Sequence, residues 1–304
     1  WRMRARGETV PEDIERLALG AAYASVTAAP LLQKVVDILQ EPVVVLKGPE
    51  VARLYPERTL RTYGDLDLLV PDLPRAERAL IEAGFDELLP NRKIEGHHHD
   101  SPLGIGELAL MIELHRDPGW LGWLTPPSNA ELLQGAIPSV TGVDGAFALP
   151  LEQQALFLAS HAWRHNPYLS IIHLVDIELA RQQTDPAALT ALARRWGIAQ
   201  VWQHLCAMID WFIYQEGDAP GALHRWWARH LDDTREQTLL EFYLAQWGRG
   251  LAAPTRMEQI GNISHDVRFS FAVHSWQSRR QKVGRIALGV RRLATPSSRH
   301  LKGG

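Results

Sequence analysis

The sequence predicts an α+β protein in which a small mixed sheet is followed by a C-terminal helical domain. Two short apolar runs, Val43–Leu46 and Leu66–Val70, are rich in branched residues and have the length of buried strands. After Pro150 the apolar residues recur at helical spacing instead. The predicted parts are N-terminal helices, a core, and a helical domain with a basic C-terminal segment, over residues 1–42, 43–150 and 151–304.

The segment before the first strand, residues 11–40, is predicted to be helical. Pro11 suits a helix start, and the acidic pair Glu12 and Asp13 favours the positive end of the helix. Pro30 lacks a backbone N–H group and clashes with the preceding turn. We therefore predict that Pro30 breaks this segment into two helices.

The remaining elements of the core are predicted from proline and glycine residues that end helices or strands and from the spacing of apolar residues. Pro49–Tyr55 is predicted to form one or two helical turns directly after Gly48. Leu73–Ala83 reads as an amphipathic helix that Gly84 closes. Two further strands are predicted at Phe85–Leu89 and Glu107–His115. The helices predicted after Pro150 are Leu151–Arg164, His173–Gln183, Pro186–Trp196, Ala199–Tyr214 and Thr234–Trp247.

Composition excludes several classes of protein. The formal net charge of the 304-residue chain is -3, which gives no global attraction to nucleic acid. No apolar run reaches the roughly 18 residues of a membrane span, and the N-terminus lacks the apolar core of a secretory signal. Cys206 is the one cysteine, so the chain forms no internal disulfide. We expect a cytoplasmic protein with no membrane partner.

The most informative residues are three carboxylates on predicted strands. Side chains alternate along a strand, so Asp65 and Asp67 point to the same face. Glu113 lies in another apolar strand, where an unpaired carboxylate would be unfavourable. If that strand lies beside Leu66–Val70, Glu113 joins the aspartates. Three carboxylates would hold one or two Mg²⁺ ions, a site that serves phosphoryl or nucleotidyl transfer.

Basic residues and a glycine precede the aspartates. Gly48 lets the backbone approach a phosphate closely, and the turn after it leads into a helix N-terminus, which favours anions. Lys47 supplies a point charge for a triphosphate. Arg58 and Arg61 are positioned in the sequence to clamp a phosphate or a leaving group.

These elements, taken in order, carry a resemblance to a known family. The chain resembles the uncharacterised nucleotidyltransferase family of the DNA polymerase β-like superfamily, over roughly residues 30 to 180. The motifs are Leu46-Lys47-Gly48, Tyr55-Pro56, Arg61-x3-Asp65-x-Asp67 and Glu113-x-His115. His161-x3-His165 and Leu174-Val175-Asp176 also look like the helical half of that family. Lys47-Gly48 replaces the Gly-Ser turn of the wider superfamily, and the gap to Asp65 is longer.

The resemblance implies a polymerase β-like core and an enzyme that moves a nucleoside monophosphate from an NTP. Asp65, Asp67 and Glu113 would bind Mg²⁺ or Mn²⁺ and perform catalysis, and Lys47, Gly48, Arg61, Arg58 and His115 would hold the nucleotide. The acceptor is expected to be a peptide or a small molecule, as in natural-product tailoring. The alternatives are a non-catalytic nucleotide- or peptide-binding module and a toxin-like transferase acting on tRNA.

Four other features leave two interpretations open. His161 and His165 lie four apart on a predicted helix, and they either pack domains together or contact substrate. His115 either supports a metal ligand or contacts a nucleotide, or else it is a satisfied buried histidine. The run His97–Asp100 is predicted to be a loop, with metal binding as the alternative. The basic stretch after Val267 is either a solvated helix or a docking surface for acidic peptide or RNA.

Overall fold

Seven strands form one mixed sheet in the computed structural model, which describes residues 6–7, 9–88, 101–118, 120, 127–164, 171–217, 238–253, 255–271 and 279–294. The order across the sheet is β3-β4-β5-β2-β1-β7-β6. Strand β2 runs parallel to β5, and β1 runs parallel to β7, whereas the other neighbours are antiparallel. The strands are β1 Val43–Val45, β2 Asp65–Leu69, β3 Asp86–Glu87, β4 Leu103–Gly104, β5 Met111–His115, β6 Ile137–Pro138 and β7 Ala146–Ala148.

The described part of the chain contains eleven α-helices. Short 3₁₀ turns occur at Arg58–Leu60 and Arg249–Ala252. The α-helices are α1 Glu12–Leu39, α2 Pro49–Ala52, α3 Leu73–Glu82, α4 Asn129–Gly135, α5 Leu151–Arg164, α6 Ile171–Arg181, α7 Pro186–Arg195, α8 Ala199–Ile213, α9 Leu239–Gly248, α10 Arg256–Phe271 and α11 Arg279–Ala294. The predicted α+β class, with a small mixed sheet and a helical C-terminal region, is confirmed.

The predicted break at Pro30 is wrong, because α1 continues through it as one helix. A proline removes one backbone hydrogen bond from a helix interior. Here the buried stripe continues on both sides of the ring, with Ala28 before it and Leu31 and Leu32 after it. Burial of this stripe offsets the missing bond and keeps the two halves together.

The sheet also differs from prediction in its short strands. The third predicted strand is reduced to the two residues of β3, and the fourth begins at Met111 rather than Glu107. Strands β4, β6 and β7 and helix α4 were not predicted. These strands have two or three residues each, so they exist through pairing with neighbours and leave no periodic pattern in the sequence.

One face of β2 is buried in the main hydrophobic cluster. Leu66 and Leu68 pack there with Leu32 and Val35 of α1 and with Leu80 of α3. Because strand side chains alternate, Asp65 and Asp67 lie on the other face of the sheet. A slip of one residue would bury both aspartates among leucines, so this packing strongly fixes the register of β2.

By its internal contacts, the chain divides into two units, residues 1–161 with 175–198 and residues 162–174 with 199–304. In the second unit, Tyr243 and Trp247 stack with ring centroids 5.7 Å apart, and Trp247 Nε1 donates to Ser270 Oγ. None of the described helices is long and apolar enough to cross a membrane. The predicted domain boundaries at residues 42 and 150 stay a prediction. His97–Asp100, His165, residues 226–237 and the last ten residues lie outside the described part of the chain.

Candidate functional site

The parallel pairing of β2 with β5 brings the carboxylates of the two strands together. In this register Asp67 lies beside Glu113, and Asp65 lies beside Met111. His115 follows Glu113 by two residues and therefore shares its face of the sheet. The face opposite to the leucine cluster thus carries two aspartates, a glutamate and a histidine.

Asp67, Glu113 and His115 form a group with the spacing of metal ligands. Each offers one ligand atom, and these atoms all lie within 4.8 Å of one another. His115 Nε2 is 3.0 Å from Asp67 Oδ1 and 4.0 Å from Glu113 Oε2. The sequence predicted Asp65, Asp67 and Glu113 as the metal ligands. The group within this distance contains His115 together with Asp67 and Glu113.

Asp67 is the most confined member of this group. Its side chain is 0% exposed, and its Oδ1 atom contacts Lys47 Nζ and His115 Nε2, both at 3.0 Å. Its Oδ2 atom is buried without a hydrogen-bond partner. A buried carboxylate oxygen without a partner is unfavourable unless a countercharge satisfies it. The donor set and this oxygen therefore fit a divalent cation held by Asp67, Glu113 and His115.

The pKa values of Asp65 and Asp67 are shifted in opposite directions. Burial raises the pKa of Asp67, but the hydrogen bond with His115 and the charge of Lys47 outweigh burial and hold that pKa well below its usual range. Burial and the charge of Asp67 together raise the pKa of Asp65, and Lys47 only partly opposes them. The two carboxylates repel each other, and a bound cation would relieve that repulsion.

Lys47 lies between the carboxylate group and helix α5. Besides its contact with Asp67, its Nζ atom is 3.4 Å from His161 Nε2. Gln154 of the same helix donates to the carbonyl oxygen of Leu46, at 2.7 Å, and so anchors the residue before Lys47. The structure thus places His161 beside a predicted nucleotide-binding residue.

Gly48 makes the turn that leads out of β1. Its φ of +63° and ψ of -119° lie in a region that residues with a Cβ atom rarely adopt. Helix α2 begins directly after it and has only four residues, so its dipole is small. Glu50 is buried and accepts hydrogen bonds from Ser139 Oγ, at 2.6 Å, and from the Val140 N–H group, at 3.0 Å. These bonds fix the turn against the β6–β7 connection.

Arg61 is bound by an acidic partner in helix α6. Its Nε and Nη2 atoms both donate to the carboxylate of Asp176, at 2.9 to 3.0 Å, and Nη1 donates to the carbonyl oxygen of Thr62. The Tyr55 hydroxyl group donates to the same carboxylate at 2.6 Å. The predicted phosphate clamp at Arg61 therefore already has a buried carboxylate as its counterion.

Arg58 lies apart from the carboxylate group. It is exposed in the 3₁₀ turn before β2 and lines a small pocket of about 100 Å³ with Ala28 and Thr141. Its charge lowers the pKa of Glu50 and of Tyr63, in each case against the larger effect of burial. The structure therefore brings Lys47 to the aspartates but leaves Arg58 on the α1 side.

Asp176 and Tyr55 are site-supporting residues that the sequence analysis did not assign. Asp176 appeared in the sequence analysis only as the last residue of the motif Leu174-Val175-Asp176. Its signal was available, because it is an acid in a nearly apolar helix whose neighbours Leu174 and Ile177 are buried. Tyr55 appeared only as part of the family motif.

A groove of about 1120 Å³ lies beside the start of β2, on the α1 side of the sheet. Its lining is mostly apolar and includes Leu17, Tyr23, Val26, Tyr63 and Leu110. Leu66 and Leu68 face the same side, whereas Asp67 faces the other. The groove is therefore separate from the carboxylate group.

Comparison with known proteins gives a family match. The model of a family described as uncharacterised nucleotidyltransferase matches residues 7–213, which include every residue of the site above. No curated protein and no solved structure matches the chain. The family description implies a transferase that uses an NTP. The chain belongs to the uncharacterised nucleotidyltransferase family.

Proposed function

We propose that the protein transfers a nucleoside monophosphate from an NTP to a hydroxyl or phosphate group of a peptide or small molecule, with Mg²⁺ or Mn²⁺ as cofactor. The observation that carries this proposal is the group of Asp67, Glu113 and His115 on paired parallel strands, with a buried Asp67 oxygen that lacks a partner. Such a group suits a cation that also binds phosphates.

The three carboxylates have different roles in the proposed reaction. Asp65, Asp67 and Glu113 hold the cation, which when bound neutralises charge on phosphate oxygens and on the leaving pyrophosphate. Glu113 retains about 20% of its side-chain surface exposed, so an acceptor hydroxyl group can reach it. We assign to Glu113 the removal of the proton from that hydroxyl group.

Lys47 and Gly48 are the best-placed residues for the triphosphate. The Lys47 side chain is 16% exposed and ends at the carboxylate group, and the backbone at Gly48 has no side chain to block a phosphate. His115 lies within reach of the same space. Arg61 and Arg58 complete the proposed set of nucleotide-binding residues. Asp176 already pairs with the charge of Arg61, and Arg58 lies on the α1 side of the sheet.

A peptide or small-molecule acceptor is favoured over a polynucleotide by charge. The formal net charge of -3 provides no global attraction to RNA. A tRNA acceptor would instead predict tight RNA binding that weakens steeply with salt. Measuring RNA binding at two salt concentrations therefore separates these acceptor classes.

The proposal is tested with the four NTPs, Mg²⁺ or Mn²⁺, and a peptide-containing cell extract as the source of acceptor. We expect pyrophosphate release with one or more NTPs, and mass spectrometry should detect an acceptor that has gained a nucleoside monophosphate. The Asp67→Asn variant should fold, as judged by circular dichroism, and lose this turnover. Normal turnover by Asp67→Asn contradicts the assignment, and NTP binding without pyrophosphate release indicates a binding module.

A further inference from the structure

We infer that His115 is a direct ligand of the cation at this site, and that the site therefore binds Mn²⁺ in preference to Mg²⁺. The inference deepens the proposed function, on which it rests for the role of the cation. It concerns a nitrogen donor that the predicted set of three carboxylates did not contain.

The first support is distance. Two ligands of one octahedral ion with bonds of about 2.1 Å lie roughly 3 Å apart when adjacent and roughly 4.2 Å apart when opposite. His115 Nε2 is 3.0 Å from Asp67 Oδ1 and 4.0 Å from Glu113 Oε2. The imidazole nitrogen thus has the separation from each carboxylate that two ligands of one ion require.

The second support is the unsatisfied oxygen of Asp67. This side chain is fully buried, and its Oδ2 atom lacks a hydrogen-bond partner even though Lys47 and His115 contact Oδ1. A hydrogen bond between His115 and Oδ1 leaves this second oxygen without a partner. A cation beside the carboxylate satisfies this oxygen.

The third support is register. Because Glu113 pairs with Asp67, His115 continues the same face beside Leu69, whereas Asp65 lies beside Met111 at the other end of the pairing. His115 is buried, with 4% of its surface exposed, so packing holds its ring in place. The strand pairing therefore places the His115 imidazole beside Asp67 and Glu113.

The preference among cations follows from the donor atoms. Mg²⁺ selects oxygen ligands almost exclusively, whereas transition-metal dications also accept imidazole nitrogen. Mn²⁺ combines this tolerance with affinity for carboxylates, water and phosphates. Adding the nitrogen of His115 to the carboxylate donors should therefore favour binding of Mn²⁺ over Mg²⁺.

The test measures binding of Mn²⁺ and Mg²⁺ to the full chain without nucleotide. Pulsed electron paramagnetic resonance on bound Mn²⁺ should show coupling to a nitrogen nucleus, and ¹⁵N-histidine labelling should change that coupling. Titration should show binding of Mn²⁺ at least about tenfold tighter than of Mg²⁺. His115→Gln should lose the nitrogen coupling and bind Mn²⁺ about tenfold to a hundredfold more weakly.

Two histidine variants serve as matched controls. His265→Gln changes an exposed histidine of α10, and His161→Gln changes the histidine beside Lys47. Both should keep the nitrogen coupling. Bound Mn²⁺ without nitrogen coupling in the wild type, coupling lost in His161→Gln, or equal affinity for the two cations overturns the inference.

The readouts do not depend on turnover. If His115→Gln fails to fold, the ¹⁵N-histidine experiment on the wild type together with His161→Gln still decides the outcome. If no NTP is consumed but nitrogen-coupled Mn²⁺ is found, the proposed function fails and the ligand assignment stands.

Discussion

Two buried aspartates of the first unit, Asp67 and Asp176, differ in how completely they are satisfied. Asp176 accepts hydrogen bonds from Arg61 on both of its oxygens and from Tyr55 on Oδ1. Asp67 has Lys47 and His115 on one oxygen and no hydrogen-bond partner on the other. Both side chains are buried, so burial alone does not distinguish them.

The difference separates a structural carboxylate from one that fits a ligand. Asp176 ties α6 to Tyr55 and Arg61, two residues of the segment between Lys47 and Asp65. It holds that segment through a satisfied ion pair. Asp67 keeps one oxygen that can coordinate a cation together with Glu113. Removal of the first should therefore affect folding, and removal of the second should affect binding.

The largest expected effect is on stability, in Asp176→Asn. Breaking a mostly buried ion pair leaves the Arg61 charge uncompensated, and the free energy of unfolding should fall by about 3 kcal/mol or more. Urea denaturation measures this loss. Asp37→Asn, which changes an exposed aspartate of α1, should alter stability by less than about 0.5 kcal/mol. A similarly small loss in Asp176→Asn would show that this pair does not hold the segment.

The next effect is stabilisation by the cation. At a free Mn²⁺ concentration about 100 times its dissociation constant, the folded protein should gain about 2.7 kcal/mol. Thermal denaturation with Mn²⁺ and with EDTA measures this gain as a shift in Tm. Asp67→Asn should lose the shift, and folded Asp176→Asn should keep it. An equal shift in wild type and Asp67→Asn would place the cation elsewhere.

The smallest effect is on the pH dependence of stability without metal. The folded pKa of Asp67 lies below its ordinary value of 3.8, so its contribution to stability is present above that value and is lost as pH falls through the folded pKa. The difference in unfolding free energy between wild type and Asp67→Asn should be constant above about pH 5 and shrink in more acidic solution.

Asp65 should show the opposite sign. Its folded pKa is raised, so its ionised form lowers stability at neutral pH, and protonation removes that effect as pH falls. Asp65→Asn should therefore stabilise the protein at pH 7 in EDTA, and the gain should diminish toward acid pH. A gain that is independent of pH would show that the charge of Asp65 is not the cause.

Local periodicity predicted which face each carboxylate occupies, but not which residues meet. Alternation along a strand places Asp65 with Asp67, and Glu113 with His115. Whether Asp65 or Asp67 lies beside Glu113 depends on the register of two strands distant in sequence. A shift of two residues would have kept every face and exchanged the partners. The membership of His115 in the group is decided by that register.

Arg61 shows the same limit of prediction from local sequence. A basic residue just before an acidic strand suggested a phosphate clamp, and the local sequence offered no competing partner. Its counterion is Asp176, which arrives from a helix formed much later in the chain. Short strands such as β6 and β7 were missed for a related reason, since they depend on neighbours rather than on their own composition.

The parallel register of β2 and β5 has a consequence for how the protein folds. Pairing Asp67 with Glu113 requires closure of the chain over residues 68–112. This closure lowers the conformational entropy of the chain before the strand contacts that offset the loss can form. The ligands therefore come together only when this long-range pairing is complete. A cation bound there joins two strands that are distant in sequence, and it should lengthen the lifetime of the folded state.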